Sequence, residues 1–161
     1  MIEVDLVQLE VNNLYHMNIL NWFRRKKHTC IDFGAGYDLT NLPIATFYQG
    51  EVKLNFLLDT GSNNNILNMS IISQLEYAET NKTASVYGMD GIDHTCPYCL
   101  IDITYQDAHY PTNFMVCDMK MAFDNIKKET GVTVHGILGS RFFKQNESIL
   151  DFSEFKAYFK K

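Results

Sequence analysis

Asp59-Thr60-Gly61-Ser62 is the segment of this chain whose residue types and order could do chemistry. It follows the apolar residues Leu54, Phe56, Leu57 and Leu58. That order places one carboxylate at the end of a buried strand, on a turn that Gly61 allows to tighten. A carboxylate so placed can cap the turn or take part in a reaction. Hydrolysis of a peptide bond by water needs a base to take a proton and an acid to give one. Two carboxylates held together supply both, because like charges about 3 Å apart do not both ionise readily and the pair titrates as a unit. Hydroxyls on Thr60 and Ser62 can hydrogen-bond the loop and the carboxylate and hold it in place. The tetrapeptide occurs once, so each copy of the chain offers one such carboxylate.

Other reactive residues read more plainly. Cys96-Pro97-Tyr98-Cys99 has the spacing of a thiol redox site, which requires its first cysteine at a helix N-terminus. Here Leu100 to Tyr105 alternates as a strand does, and no βαβ pattern surrounds it. His94, Cys96, Cys99 and Cys117 could be offered to zinc, but a single C-x-x-C lacks the second paired half-site of a structural zinc centre. The pair is read as reduced cysteines at the base of a hairpin, able to stiffen it if oxidised. No metal and no organic cofactor is expected. His135 is read as structural, Asp151 as serving a closing turn and Asp90 as solvated. Phe142, Phe143, Phe152, Phe155 and Phe159 are read as core or interface packing.

The elements that must position these residues follow from pattern. The 161 residues, 46 % hydrophobic and 20 % charged, make one folded domain with a real core. Ile2, Val4 and Leu6 alternate, and Leu14, Tyr15, Asn18, Ile19, Trp22 and Phe23 recur at helical spacing up to the basic run Arg24 to His28. A loop rich in Gly, Asp and Asn is predicted from Asp32 to Asn41. Residues 1–41 are set apart as an N-terminal helical extension and 42–161 as the main domain. Within the latter, Pro43 to Tyr48 and Val52 to Leu58 flank Gln49-Gly50-Glu51 as a hairpin. Ala84 to Tyr87 and Thr95 to Tyr105 flank the glycine-bracketed tip Gly88-Met89-Asp90-Gly91. Asn113 to Cys117, Val132 to Leu138, Ser148 to Phe152 and Phe155 to Phe159 complete the apolar segments. Helices are predicted at Ser70 to Tyr77, capped by Ser70, and at Ser140 to Lys144. Met119 to Glu129 reads as loop or short helix. Many short strands separated by turns predict an all-β barrel or sandwich.

Charge and hydropathy exclude some classes. A net charge of −5 argues against nucleic-acid binding, which needs an excess of Lys and Arg. No stretch reaches the ~20 apolar residues of a membrane span. The first residues lack the order of a secretory signal, so the four cysteines are read as reduced thiols in a cytoplasmic setting.

Taken together, the motifs resemble the retropepsin-like aspartic proteases, and bacterial members with a single lobe in particular. The apolar strand running into Asp59-Thr60-Gly61-Ser62 is similar to their active-site loop. About eighty residues on, Ile137-Leu138-Gly139 after His135-Gly136, with Ser140-Arg141-Phe142-Phe143 behind it, is similar to the segment and helix that close that fold. The hairpin tipped by Gly88, Met89, Asp90 and Gly91 stands where the family has its flap. The resemblance covers about Leu42 to Phe159. It implies an acid-protease barrel with one or two short helices and an aspartic endopeptidase working as a homodimer. Asp59 from each copy would meet its mate on the two-fold axis, Thr60 would bond the opposite loop, and a peptide or protein substrate would lie under the flap. The sequence departs from the family at Ser140-Arg141, where an Arg usually follows the glycine directly, and at Asn63-Asn64-Asn65, where Ser or Thr is common. The arginine brace of some family dimers is therefore not expected in that form. A non-catalytic peptide-binding or dimerisation module on the same fold is the alternative.

Overall fold

The strand alternation read in the sequence is obeyed most fully in the longest segments, and these set the architecture. A computed structural model describes residues 28–87 and 93–160. Its strands are β1 (His28–Asp32), β2 (Ile44–Gln49), β3 (Val52–Leu58), β4 (Ile66–Asn68), β5 (Ala78–Tyr87), β6 (Asp93–Tyr105), β7 (Ala108–Cys117), β8 (Gly136–Leu138), β9 (Ile149–Asp151) and β10 (Lys156–Lys160). Helices α1 (Gly34–Thr40), α2 (Lys120–Thr130) and α3 (Ser140–Gln145) and a 3-10 turn at Met69–Gln74 connect them. In β7, Ala108, Tyr110, Thr112 and Phe114 are buried while His109, Pro111 and Asn113 are exposed, the period of a strand with one wet face.

The main sheet runs β2-β3-β8-β4-β7-β6-β5. β6 is long enough to serve two neighbours on one edge. Its first half pairs with β5, from Tyr87↔Asp93 to Ala78↔Leu100. Its second half meets β2 at Tyr48↔Thr104, which closes six strands into a barrel. β5 projects from that barrel as a hairpin arm. A two-residue turn joins β2 to β3, and Gly50 at φ 54° adopts the backbone that this tight connection requires.

Aromatic side chains fill the barrel. The Phe47 ring lies 5.9 to 6.3 Å from those of Phe56, Tyr105, Tyr110, Phe142 and Phe159. Phe56 also stacks on Phe114 at 5.3 Å. Such contacts add about 0.5–1.5 kcal/mol each beyond the area they bury. Phe142 and Phe159 are buried here, whereas Phe152 is 51 % exposed and lies at the surface, not in the core.

A second sheet, β1-β10-β9, packs beside the barrel. β1 pairs with β10 over its full length, and Phe33 and Ile31 belong to the main core, so residues 28–41 are built into this body. The predicted loop from Asp32 to Asn41 is instead α1. Its glycines serve packing: a Cβ on Gly36 would lie 2.4 Å from the Ile44 carbonyl oxygen. Asp32 Oδ1 accepts the Gly34 N–H at 2.7 Å, and Tyr37 packs on Phe155. The segment predicted as a helix from Ser70 to Tyr77 is the shorter 3-10 turn, which starts one residue earlier and has no side-chain cap. α2 resolves the ambiguous stretch as helix, ended by Gly131 at φ 76°. The helix predicted before residue 28 and the hairpin tip 88–91 lie outside the described residues. No helix among the described residues is long and apolar enough to cross a membrane.

β8 has glycine at its start because no side chain fits there. A Cβ on Gly136 would lie 2.3 Å from the Ile66 carbonyl oxygen and 2.8 Å from the Phe56 ring. Gly136→Ala is expected to lower stability by about 2 kcal/mol or more in urea unfolding, as overpacking does; an unchanged midpoint would contradict this packing.

Candidate active site

The site begins where β3 leaves the barrel. The backbone N–H of Leu58 donates to the Pro43 carbonyl at 2.8 Å, and that of Asp59 donates to the Leu138 carbonyl at 3.0 Å. The β3–β8 pairing therefore extends one residue past the strand and fixes the Asp59 backbone. The turn closes with Ser62 N–H donating to the Asp59 carbonyl at 3.2 Å. Gly61 N–H donates to Asp59 Oδ1 at 2.9 Å, which holds the carboxylate against its own loop. Asp59 is left half-buried, with Thr60 and Gly61 exposed beside it.

Gly61 does not serve a left-handed turn, since its φ is not positive. A Cβ there would stand 3.2 Å from Asp59 Oδ1, pressing on the carboxylate oxygen itself. Ser62 braces the loop and not the acid: its hydroxyl donates to the Asn64 carbonyl at 2.8 Å. The Thr60 hydroxyl makes no hydrogen bond among the described residues.

The second motif lies against this turn. Ile137 pairs with Leu57 on one side and Ile66 on the other, so β8 threads between the strands that lead into and out of the Asp59 turn. Ser140 N–H donates to the Ser62 carbonyl at 2.8 Å. A Cβ on Gly139 would lie 2.4 Å from the Asn64 oxygen and 2.7 Å from the Ser62 oxygen, so only glycine lets the two loops meet. Ile137, Leu138 and Gly139 are all buried. Arg141, one residue further along α3, is exposed.

Of the asparagine run, Asn65 is the member that holds the site together. It is 6 % exposed, and its side-chain oxygen accepts the Gly139 N–H at 2.9 Å. Its amide donates to the Asn113 carbonyl at 3.2 Å, and its own carbonyl accepts the Met115 N–H at 2.9 Å. One side chain thus binds the Asp59 loop to the end of β8 and to β7. The sequence signal was the polar run itself, which does not say which member faces inward. Tyr98 was likewise missed; its hydroxyl donates to Asn64 Oδ1 at 3.2 Å and ties the hairpin arm to the loop. The tip residues Gly88, Met89, Asp90 and Gly91 fall outside the described residues.

His135 is a stitch in the wall. Its Nδ1 accepts the Asn55 N–H at 2.9 Å, and its backbone N–H donates to the Asn55 carbonyl at 2.8 Å. With Nδ1 accepting, the ring proton sits on Nε2. Burial foremost, with Lys53 and Lys127 nearby, pulls its pKa below the ordinary 6.5. Asp151 serves the closing turn, accepting the Ser153 N–H at 2.9 Å, the Ser153 hydroxyl at 2.6 Å and the Glu154 N–H at 3.1 Å.

The cysteines do not pair as their spacing implied. Cys96 and Cys99 sit three apart on one strand, so they face opposite sides of it. Cys96 lies in a cluster with Met115 and Cys117, and Cys99 lies in the main core. Two cavities, of about 380 Å³ between the 3-10 turn and the arm and about 750 Å³ beside α1, are lined by other residues than Asp59.

No family model matches this chain, and no curated protein matches it. Among solved structures it is similar to the retroviral protease-like domain of Ddi1 from Leishmania major, at 10 % identity and a TM-score of 0.45, over 74 % of this chain and 94 % of that one. The fold is all-β, as the motifs implied: a barrel closed by six strands, carrying a few short helices.

Two outcomes follow from these stitches. Asn65→Ala leaves the buried Gly139 N–H without its acceptor and should cost about 1–3 kcal/mol in denaturant unfolding. For His135, the unfolded chain takes up the proton first as pH falls. Stability is therefore complete above pH 6.5 and is lost as pH drops through that value towards the lower folded pKa. Unfolding midpoints at pH 7.5 and 5.5 should differ for the parent and converge for His135→Asn; parallel losses in both would assign the slope elsewhere.

Proposed function

We propose that this chain is a homodimeric aspartic endopeptidase in which Asp59 of each copy forms half of the catalytic pair. The observation that supports it is the fixed geometry of the Asp59 turn: a half-exposed carboxylate on a loop bonded to Leu138, Ser140 and Gly139. Such a loop holds a reacting group on strand ends and not on a free segment, as catalysis requires. The once-occurring motif and its outward position fit a site completed by a second copy through an isologous contact.

In that pair one carboxylate is ionised and one protonated. The ionised one takes a proton from water as the water oxygen attacks the peptide carbonyl carbon. The protonated one gives its proton to the carbonyl oxygen. Return of a proton to the amide nitrogen then breaks the C–N bond. Gly61 N–H, already bonded to Oδ1, keeps the carboxylate aimed. Thr60 bonds the opposite loop across the axis, and residues Gly88, Met89, Asp90 and Gly91 close over an extended peptide paired with the arms. Residues 42–161 form the catalytic unit, braced by β1 and α1. Its free thiols suit a reducing compartment such as the cytoplasm.

Asp59→Asn should lower cleavage of a diverse peptide library by about 10³-fold or more while fold and dimer persist. Activity should fall on dilution in step with dimer content measured by sedimentation. An Asp59→Asn protein that cleaves like the parent ends this reading. A parent that binds peptides as a dimer without cutting them marks the non-catalytic module instead.

A further inference from the structure

We propose that Cys96 and Cys117 are a modification site: an intramolecular disulfide that staples the hairpin arm β6 to β7 beside the Asp59 turn. Two observations place the thiols together. The β6–β7 ladder pairs Cys99 with Phe114 and Tyr98 with Met115. Continued by two residues, that register sets Cys96 opposite Cys117. Directly opposed residues of antiparallel strands have Cα atoms about 4.5 or 5.5 Å apart. Both values fall within the roughly 4.4–6.8 Å that a disulfide spans. Both cysteines are buried in one apolar cluster with Met115.

The remaining cysteines are placed elsewhere. Cys99 faces the main core from the other side of β6, and Cys30 is exposed on β1 in the second sheet. The location gives the bond a consequence. Asn68 of β4 pairs with Cys117, and β4 follows Asn65 directly, so the staple would couple the arm to the strand that leaves the Asp59 loop.

The chemistry balances with a peroxide as oxidant. One thiolate attacks a peroxide oxygen, the O–O bond breaks, and after proton transfer one water leaves a sulfenic acid. The second sulfur attacks the first, the S–O bond breaks and a second water departs. Two S–H bonds and one O–O bond are exchanged for one S–S bond and two waters. In the closed arm this is slow, because burial and the neighbouring thiol hold Cys117 well above its usual pKa and the thiolate is the nucleophile. Opening is easiest at this arm. β5 is an edge strand whose ladder to β6 shifts register between Glu79 and Thr83, and Pro97 beside Cys96 has no N–H to donate.

The test is peptide mapping without reductant after graded hydrogen peroxide, on the parent and on Asp59→Asn. The staple does not depend on the peptidase reading, so both proteins should form it equally. The expected result is a mass lower by about 2 Da, a linked Cys96–Cys117 peptide pair, and reversal by dithiothreitol. Cys99→Ser and Cys30→Ser should keep the link; Cys96→Ser and Cys117→Ser should lose it. Hydrogen exchange along β5 and β6 should slow by about tenfold in the oxidised parent. A Cys96–Cys99 link, a link between chains through Cys30, or Cys96 and Cys117 recovered as free thiols or sulfinic acids would each overturn the proposal.

Discussion

The backbone of β8 passes between β3 and β4 at a distance that leaves no space for side chains at either end of the passage, and most of the structure answers to that close approach. Gly136 meets the Ile66 carbonyl and the Phe56 ring, and Gly139 meets the carbonyls of Ser62 and Asn64. Because the loops touch through main chain, their hydrogen bonds run backbone to backbone, from Asp59 to Leu138 and from Ser140 to Ser62. A loop held this way has few soft torsions. The carboxylate it carries is placed by the sheet and not by the flexibility of a side-chain scaffold.

Two kinds of interaction divide the labour. Aromatic burial around Phe47 stabilises the barrel through area removed from water and ring contacts. A one-residue slip would turn these rings to the outer face, so burial already opposes it. The polar stitches add to that. Asn65 joins the Asp59 loop to Gly139 and Asn113, and Asn55 joins β3 to Thr133, His135 and Thr46. Each bond contributes about 1 kcal/mol net when made, but leaving a buried group unpaired costs more. A slipped register would break several at once, so these residues select one arrangement from among similarly apolar alternatives.

The hairpin arm is the part of the site least constrained by these devices. β5 has a partner on one side only, and its ladder is interrupted. The arm is tied to the Asp59 loop through Tyr98 and Asn64, and at its base through the packing of Cys96 on Met115 and Cys117. β5 lies outside the closed barrel and pairs on one side only, whereas β3 and β4, which lead into and out of the Asp59 turn, are paired on both sides. The strands that carry the carboxylate and the hairpin arm beside them are thereby constrained to different degrees within one continuous sheet.

Local patterning determined much of this. The β2–β3 hairpin, the two-faced β6 and β7, the closing strands around Ser153 and the Asp59 turn were legible because their signals lie in adjacent residues: alternation, Gly50 at a turn, a carboxylate after an apolar run. Met119 to Glu129 reads from sequence as loop or short helix, and the structure makes it α2, ended by Gly131. What sequence left open concerned residues whose roles are assigned from far away. α1 forms among glycines because Ile44 and Phe155 pack on it, and Asn65 rather than its neighbours turns inward because Gly139 and Asn113 await it. Cys96 shares its buried cluster with Cys117 and not with Cys99, since a strand sends residues three apart to opposite faces while the fold lays β7 alongside. Chain-local propensities specify which elements form; only the meeting of distant strands specifies which atoms touch, because contact depends on register and packing that no short window of residues contains.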